Sequence, residues 1–436
     1  MLDVSRGLIG IKRGLMLPRE VALESEGRSP TVVVDGAGAV LSLIREGGVR
    51  TIGQLAAAMD MARSTVMQRV DRLVAAGLVV SRPSHPSESP GGRGRPASFF
   101  DFNADSGVIL VAQLGMTGAR VAATNLNGAI LAEDFEPFPI ESGPRAVTDR
   151  LKGSLASVLS DAGRLRTDVR GVGIGLPSAI ELSTARPADA APGPSWDGFS
   201  ITDQMHDAFG VPAFVDNDVN LLALGEHASS WPEADVLLCL KVGTVIGCGT
   251  VIHGKVVQGA QRVAGSIGHI SLVGDQTRCR CGNVGCLEAV ASGRALVAQL
   301  RAEGLAVQDA RHLATLAREG VPAAVQAVRM AGRRIGEVLA CAVNLLNPDV
   351  VTVWGYLAED ELLAGIRETV YQRSLPAATG SLKLVRARLG DDAGLVGAAM
   401  IVVSRILSPD AIDEYLTDLS TQPIDADEVI GNAAGC

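Results

Sequence analysis

Residues 210–226 read GVPAFVDNDVNLLALGE. An apolar run leads into V-D-N-D-V-N (215–220), a second apolar run follows, and polar side chains, among them Asn217, Asp218 and Asn220, stand between them. The segment VPAFVDND has the composition of a strand that ends in polar groups. In an open α/β sheet, ligands bind at the carboxyl ends of the strands. A carboxylate there is either a general base for a hydroxyl group or only an acceptor that holds one. The choice rests on the rest of the chain.

Working outward, GVILVAQLG (107–115), ARVAATNL (119–126) and AILAEDFE (129–136) read as strands separated by the turn signals Met116-Thr117-Gly118 and Asn127-Gly128. A helix follows over 146–162, then the strand GVGIGLPS (171–178) and a helix over 201–209. A second unit starts near 222. It holds a strand pair, VLLCLKVG and GCGTVIHGKVV, a helical stretch over 287–346, the buried strand VVTVWGY (350–356) and a last long helix at 391–405. Alternating strands and helices argue for an α/β body. We expect one small α/β lobe from 105–222 with 390–406, and a large one from 223–389 that carries a metal site and oligomerisation helices. Beyond 407 lies an acidic tail with seven acidic residues and no Lys or Arg, expected to be mobile.

Residues 1–30 have weak periodicity and read as a flexible arm. Residues 31–104 read as a winged helix-turn-helix. A helix over 37–47 buries Val40, Leu41, Leu43 and Ile44; Thr51 caps a helix carrying Ile52, Leu55, Ala56 and Met59. After a short turn, Ser64 is expected to cap a third helix with Val66, Val70, Leu73 and Val74 on one face and Gly77 at its end. The strands LVVSR (78–82) and SFFDF (98–102) would form the wing. The third helix offers Ser64, Thr65, Gln68, Arg69 and Arg72, side-chain types that reach base edges and phosphates in a major groove. The wing loop GGRGRPA (91–97) holds Arg93 and Arg95 between glycines, a pattern suited to a narrow, electronegative minor groove.

Charge agrees with that division. Net charge is −9, yet residues 1–100 carry +4 and the remainder −13, so only the N-terminal part suits a polyanion. The chain is 47% hydrophobic over 436 residues, enough for two or three cored domains. Its apolar stretches are strand-sized and fall short of the roughly 18–20 residues that span a bilayer. No signal-peptide pattern opens it, and a cytoplasmic protein is expected. Seven cysteines is an odd number, and three crowd into CRCGNVGC. With His269 upstream, separated from Cys279 by nine residues, Cys279, Cys281 and Cys286 offer a Cys₃His set suited to tetrahedral Zn2+. Gly282 and Gly285 would let the backbone turn around the ion. With all four positions filled by protein, the zinc would be structural.

At this point the residues resemble a family. The helix-turn-helix with its GGRGRPA wing, VDNDVNLLALGE, AGSIGHI ahead of CRCGNVGCLEAVASG, and LGDDAGLVGAAM together resemble the ROK family (repressors, open reading frames, kinases), in particular its winged-helix transcriptional regulators, over about 36 to 405. The resemblance implies an actin/hexokinase-like, ribonuclease-H-like body of two lobes with sugar bound in the cleft. In the family's kinases the aspartate matching Asp218 is the base that deprotonates the sugar, and Asn217, Glu288 and the metal-bound His269 match sugar-contacting positions. The family's phosphate loops depart here. D-x-G-G-T-K becomes Gln113-Leu114-Gly115-Met116-Thr117-Gly118, and G-T-G-x-G becomes Gly243-Thr244-Val245-Ile246-Gly247. Phosphoryl transfer depends on positioning the nucleotide phosphates, so these losses argue against an enzyme. Ser266 stands where the family has a glutamate that accepts from a sugar hydroxyl, which leaves room for a bulkier or anionic ligand. The expectation is therefore a sugar-responsive DNA-binding regulator of carbohydrate metabolism genes, a repressor acting as a homodimer or dimer of dimers on double-stranded DNA. The alternatives are an ATP-dependent sugar kinase with an appended DNA-binding domain, or a regulator that has lost its effector.

Overall fold

The computed structural model describes residues 36–48, 50–82, 98–115, 118–177, 180–181, 186–187 and 199–421. The first elements are α1 (Ala37–Gly47), the short strand β1 (Arg50–Thr51), α2 (Ile52–Met59) and α3 (Arg63–Ala75). Thr51 starts α2 through a capping box: its hydroxyl accepts from Gln54 N at 3.3 Å while its own N donates to Gln54 Oε1 at 2.8 Å. Asp60 ends α2 in the left-handed region at φ 52°. The cap expected at Ser64 is not there. Ala62 holds the N-cap position of α3 without a side-chain bond, and Ser64 lies exposed inside the helix. Val66, Val70 and Leu73 are buried, whereas Val74, at the margin of that stripe, is exposed. The strands β2 (Val79–Arg82) and β3 (Phe99–Phe102) pair antiparallel, and β1 adds a third strand on the far side of β3. The expected wing tip, with Arg93 and Arg95, lies outside the described residues.

The body has two sheets with one topology. In the first lobe come β4 (Val108–Leu114), β5 (Gly118–Asn125), β6 (Ile130–Pro137), α4 (Pro144–Asp161), β7 (Val169–Leu176), a two-stranded pair β8 (Ile180–Glu181) and β9 (Arg186–Pro187), α5 (Ile201–Phe209) and β10 (Ala213–Asn217). The sheet runs β10-β7-β4-β5-β6, with β4, β5 and β6 antiparallel and β7 and β10 parallel to β4 and to each other. After α6 (Asp218–Ser230) the second lobe repeats the pattern with β11 (Val236–Val242), β12 (Ile246–Ile252), β13 (Lys255–Val256), α7 (Leu287–Ala291), α8 (Gly293–Ala302), α9 (Ala310–Arg318), α10 (Pro322–Leu346), β14 (Val350–Trp354), α11 (Asp360–Arg373), α12 (Pro376–Thr379) and β15 (Lys383–Arg386). Its order is β13-β12-β11-β14-β15. The central strands β4 and β11 are covered on both faces, which is why they read as near-continuous apolar runs.

Two helices lie between the sheets. α13 (Ala393–Ile406) packs on β4 and β7, α6 packs on β11 and β12, and the two helices pack on each other. Bare backbone makes this contact possible. A Cβ at Gly225 would stand 2.0 Å from Ala393 O, and one at Gly397 1.9 Å from Leu221 O. The glycines of the G-C-G run in β12 have the same role, since a Cβ at Gly249 would stand 2.1 Å from Val219 O in the first turn of α6. The boundary expected at residue 222 therefore falls inside one continuous helix that links the lobes.

The acidic tail also differs from expectation. α14 (Pro409–Thr421) is a helix bent 61° from the preceding one, and it packs on α1. Its acidic residues conceal an apolar i, i+4 pair, Ile412 and Leu416, which are buried. They join a core shared by α1, α2, α3, α13 and parts of β4. The winged-helix module is thus packed onto the body through the last two helices. Among the described residues no single helix is long and apolar enough to cross a membrane.

Candidate functional site

The tip of β10 and the start of α6 carry the polar residues of VDNDVN. Asn217 is the N-cap of α6, its Oδ1 accepting from Val219 N at 3.2 Å, so only its amide nitrogen is left to reach outward. Asp216 is buried and well supplied with donors: Asn217 N at 2.7 Å, Asn220 Nδ2 at 2.8 Å and Gln258 Nε2. Asp218 opens α6 and is only 3% exposed. Its Oδ2 accepts from Lys241 Nζ, near the end of β11.

Lys241 was not among the residues singled out from the sequence, although a lone lysine in the apolar run VLLCLKV is an available signal. It brings an ammonium to the carboxylate that would have to take a proton in a kinase. The ion pair occupies Oδ2, so a substrate hydroxyl would meet the other carboxylate oxygen. Next to it, at the end of β14, Trp354 has its ring centroid 5.8 Å from Lys241 Nζ and donates from Nε1 to Gly390 O at 2.8 Å. The indole thereby bridges the second sheet and the 3₁₀ turn Gly390–Asp392 that starts α13. The loop at Gly243 is also engaged: Gly243 O accepts from Gly293 N at 2.8 Å and Thr244 O from Arg294 N at 3.3 Å. Val245 does not adopt positive φ. On the first lobe Gln113 lies against Gly394, where a Cβ would stand 2.0 Å from Gln113 Oε1. Met116 lies outside the described residues.

The segment after β13 faces the same strand end. Gln258 and Arg262 both reach Asp216. Ser266 is exposed and its hydroxyl donates to Val263 O at 2.8 Å. Glu288, in the first turn of α7, spends Oε2 on Ile246 N at 2.7 Å. Burial pushes the Glu288 carboxyl above its ordinary value, opposed by that hydrogen bond and by the charges of Arg294, His269 and Arg280.

His269, Cys279, Cys281 and Cys286 converge. Their four candidate ligand atoms lie within 4.8 Å of one another, with Cys281 Sγ 3.7 Å from Cys286 Sγ and Cys279 Sγ 3.8 Å from His269 Nδ1. A metal bonded at about 2.3 Å to each sulfur in a tetrahedron sets neighbouring sulfurs about 3.8 Å apart, so the set fits one ion. Left-handed Gly282 and Gly285 (φ 94° and 77°) make the turns around it. His269 turns Nδ1 to this cluster, which leaves Nε2 outside it.

Two further carboxylates, neither foreseen, tie this site to the rest of the chain. Glu226, fully buried two turns along α6 from Asp218, accepts from Arg388 N at 2.7 Å and Leu389 N at 3.0 Å, just ahead of the turn that starts α13. Asp413 in α14 accepts from Gly38 N at 3.0 Å, capping α1, which has no side-chain cap of its own. On α3, Ser64, Gln68 and Arg72 are exposed at i, i+4 and i+8, one continuous stripe. Thr65 and Arg69 flank it half-buried, and Arg69 also reaches Met61 Sδ at 2.9 Å.

The ROK family model matches residues 110–405, more than half of the chain. This chain belongs to the ROK family. A MarR family model matches residues 37–86, the helix-turn-helix and the first wing strand. The xylose repressor of Caldicellulosiruptor bescii is 27% identical, over 85% of this chain and 95% of the repressor. The glucokinase of Thermotoga maritima is 30% identical over 67% of this chain and 96% of the kinase. Among solved structures, a ROK family transcriptional regulator described as a homologue of the Escherichia coli MLC protein superposes with a TM-score of 0.73 at 26% identity, covering 88% of this chain and 98% of that one. The glucokinase thus covers a smaller share of this chain than either regulator does. The actin/hexokinase-like body and winged helix-turn-helix expected from the sequence are both present.

Proposed function

We propose that this ROK family member is a DNA-binding repressor whose body senses a sugar without phosphorylating it. The observation that carries this reading is the Lys241 ammonium seated on the Asp218 carboxylate, in a chain whose winged helix shares a core with the same body. Asp218 is then an acceptor for a sugar hydroxyl through its second oxygen, not a base. Asn217 through its amide nitrogen, Glu288 through its second oxygen and His269 through Nε2 complete the set, which suits the fixed spacing of sugar hydroxyls. Zinc at His269, Cys279, Cys281 and Cys286 has a structural role and orients His269. Gln113, Trp354 and Val245 leave the nucleotide half of the cleft without a phosphate cradle.

Ligand binding draws the start of α6 toward the 258–288 segment. Because α6 and α13 touch backbone to backbone, they move together, and Glu226 carries the 388–389 loop with them. From α13 the movement reaches α14 and, through Asp413, the first helix of the DNA-binding module. In a homodimer this changes the spacing of two α3 helices that read half-sites about 34–36 Å apart. Ser64, Thr65, Gln68, Arg69 and Arg72 face the DNA, with Arg93 and Arg95 at the wing.

The deciding experiment incubates the purified chain with a hexose and pentose panel and labelled ATP, beside a binding assay for the same sugars. Sugar binding without phosphate transfer is the expected result. Sugar-dependent transfer above background would make the body a kinase.

A further inference from the structure

The loop between β13 and the 3₁₀ turn Ile267–His269 holds one residue that the sensing site as described does not use. Arg262 adopts φ 56°, a left-handed conformation that is uncommon outside glycine and that persists where the surroundings impose it, often at ligand sites. Its side chain is 21% exposed, and Nη2 lies 3.6 Å from Asp216 Oδ2. Asp216 takes its hydrogen bonds from other groups, Asn217 N, Asn220 Nδ2 and Gln258 Nε2. Meanwhile Arg262 Nε is buried with no hydrogen-bond partner among the described residues, and so is Oδ1 of Asn220, which is bonded to the same Asp216. Both are orphaned groups of the kind that native structures satisfy with a ligand or water.

A guanidinium offers a planar fork of donors matched to the paired oxygens of a carboxylate or phosphate. The neighbourhood accepts such an anion. Lys241 neutralises Asp218, Asp216 is spent on its own donors, and position 266 contributes a hydroxyl already committed to Val263 O. We propose that the effector carries an anionic group, a phosphate or carboxylate on the sugar, and that Arg262 is the residue that reads it. The proposal rests on the sugar-sensing reading above and adds the chemical class of its ligand.

The test uses the full-length, metal-loaded chain. Calorimetry and thermal shift are run at about 0.15 M salt with neutral hexoses and pentoses, their terminal phosphates, hexuronates, and inorganic phosphate alone. At least one anionic sugar is expected to bind about tenfold or more tightly than its neutral parent, the phosphate and uronate arms showing which anion is preferred. Arg262→Gln should bring that ratio close to one while shifting the neutral parent's Kd by no more than about twofold. Arg262→Gly should lose the same discrimination yet raise the melting temperature of the ligand-free chain, because glycine takes positive φ without strain. Neutral parents that bind as tightly as every derivative, or an unchanged ratio in Arg262→Gln, would overturn the role of Arg262 and leave sugar sensing standing. If no sugar, charged or neutral, shifts the melting temperature, the sensing reading fails and this inference fails with it.

Discussion

Replacing Glu226 by Gln tests the link between cleft and DNA-binding module at its narrowest point. The carboxylate is fully buried and each oxygen takes one backbone N–H, from Arg388 and Leu389. An amide keeps one acceptor and turns an NH₂ group toward the other donor. The loss is one charge-assisted hydrogen bond and the stranding of one buried N–H, together about 2–4 kcal/mol. Since about 1.36 kcal/mol is a factor of ten, the opening equilibrium of the 388–392 loop should shift roughly 30- to 1,000-fold. Native-state hydrogen exchange reads this directly: the amides of Arg388 and Leu389 should lose that much protection, while those of α4 in the first lobe change little. Sugar affinity should survive, because no ligand-facing group is altered, but the effect of sugar on DNA binding should shrink. Unchanged protection at 388 and 389 would refute the latch. A full sugar effect on DNA despite lost protection would show that the coupling runs elsewhere.

The other contacts give simpler expectations. Asp413→Ala removes the cap on α1 and should cost about 0.5–2 kcal/mol, seen as faster exchange at Gly38 and the following amides; unchanged exchange there would mean that α14 does not hold the module. Arg72→Ala should weaken DNA binding about equally for all sequences and lower the slope of log K against log salt by about one; an unaltered slope would place α3 away from the phosphates. Chelating the metal should loosen residues 269–288 and blunt the response to sugar, since metal binding is coupled to local folding; a metal-free chain with full effector sensitivity would give the ion a local role only.

Much of the fold could be read from the sequence because the body strands are long, apolar and separated by clear turn signals. Central strands buried on both faces, such as 108–114 and 236–242, leave little ambiguity. The His/Cys cluster was legible as a candidate metal site because all but one of its residues fall within eight positions. The missed features depend on partners far away in the chain. Lys241 pairs with Asp218 across 23 residues and Glu226 holds amides 162 and 163 residues on, so no local spacing announces them. α14 was obscured for another reason: four acidic residues between Pro409 and Thr421 outweighed the two apolar ones, Ile412 and Leu416, that decide its packing. A solvated acidic face and a mobile acidic tail have the same composition. Asn217 shows a related ambiguity, because a residue suited to a sugar hydroxyl is also a good helix cap, and here its oxygen is spent on the cap.

The most direct measurement is fluorescence anisotropy of a labelled operator, obtained by selection from random duplexes, titrated with the full-length chain in the presence and absence of the sugar that shifts its melting temperature, with ATP present and ADP formation followed in parallel. The sugar should change operator affinity by about 5- to 150-fold, the usual range for coupled sites. Asp218→Ala should bind the operator but no longer respond, and no sugar-dependent ADP should accumulate. A sugar response that persists in Asp218→Ala, or turnover of ATP that depends on the sugar, would contradict a sensing, non-catalytic body.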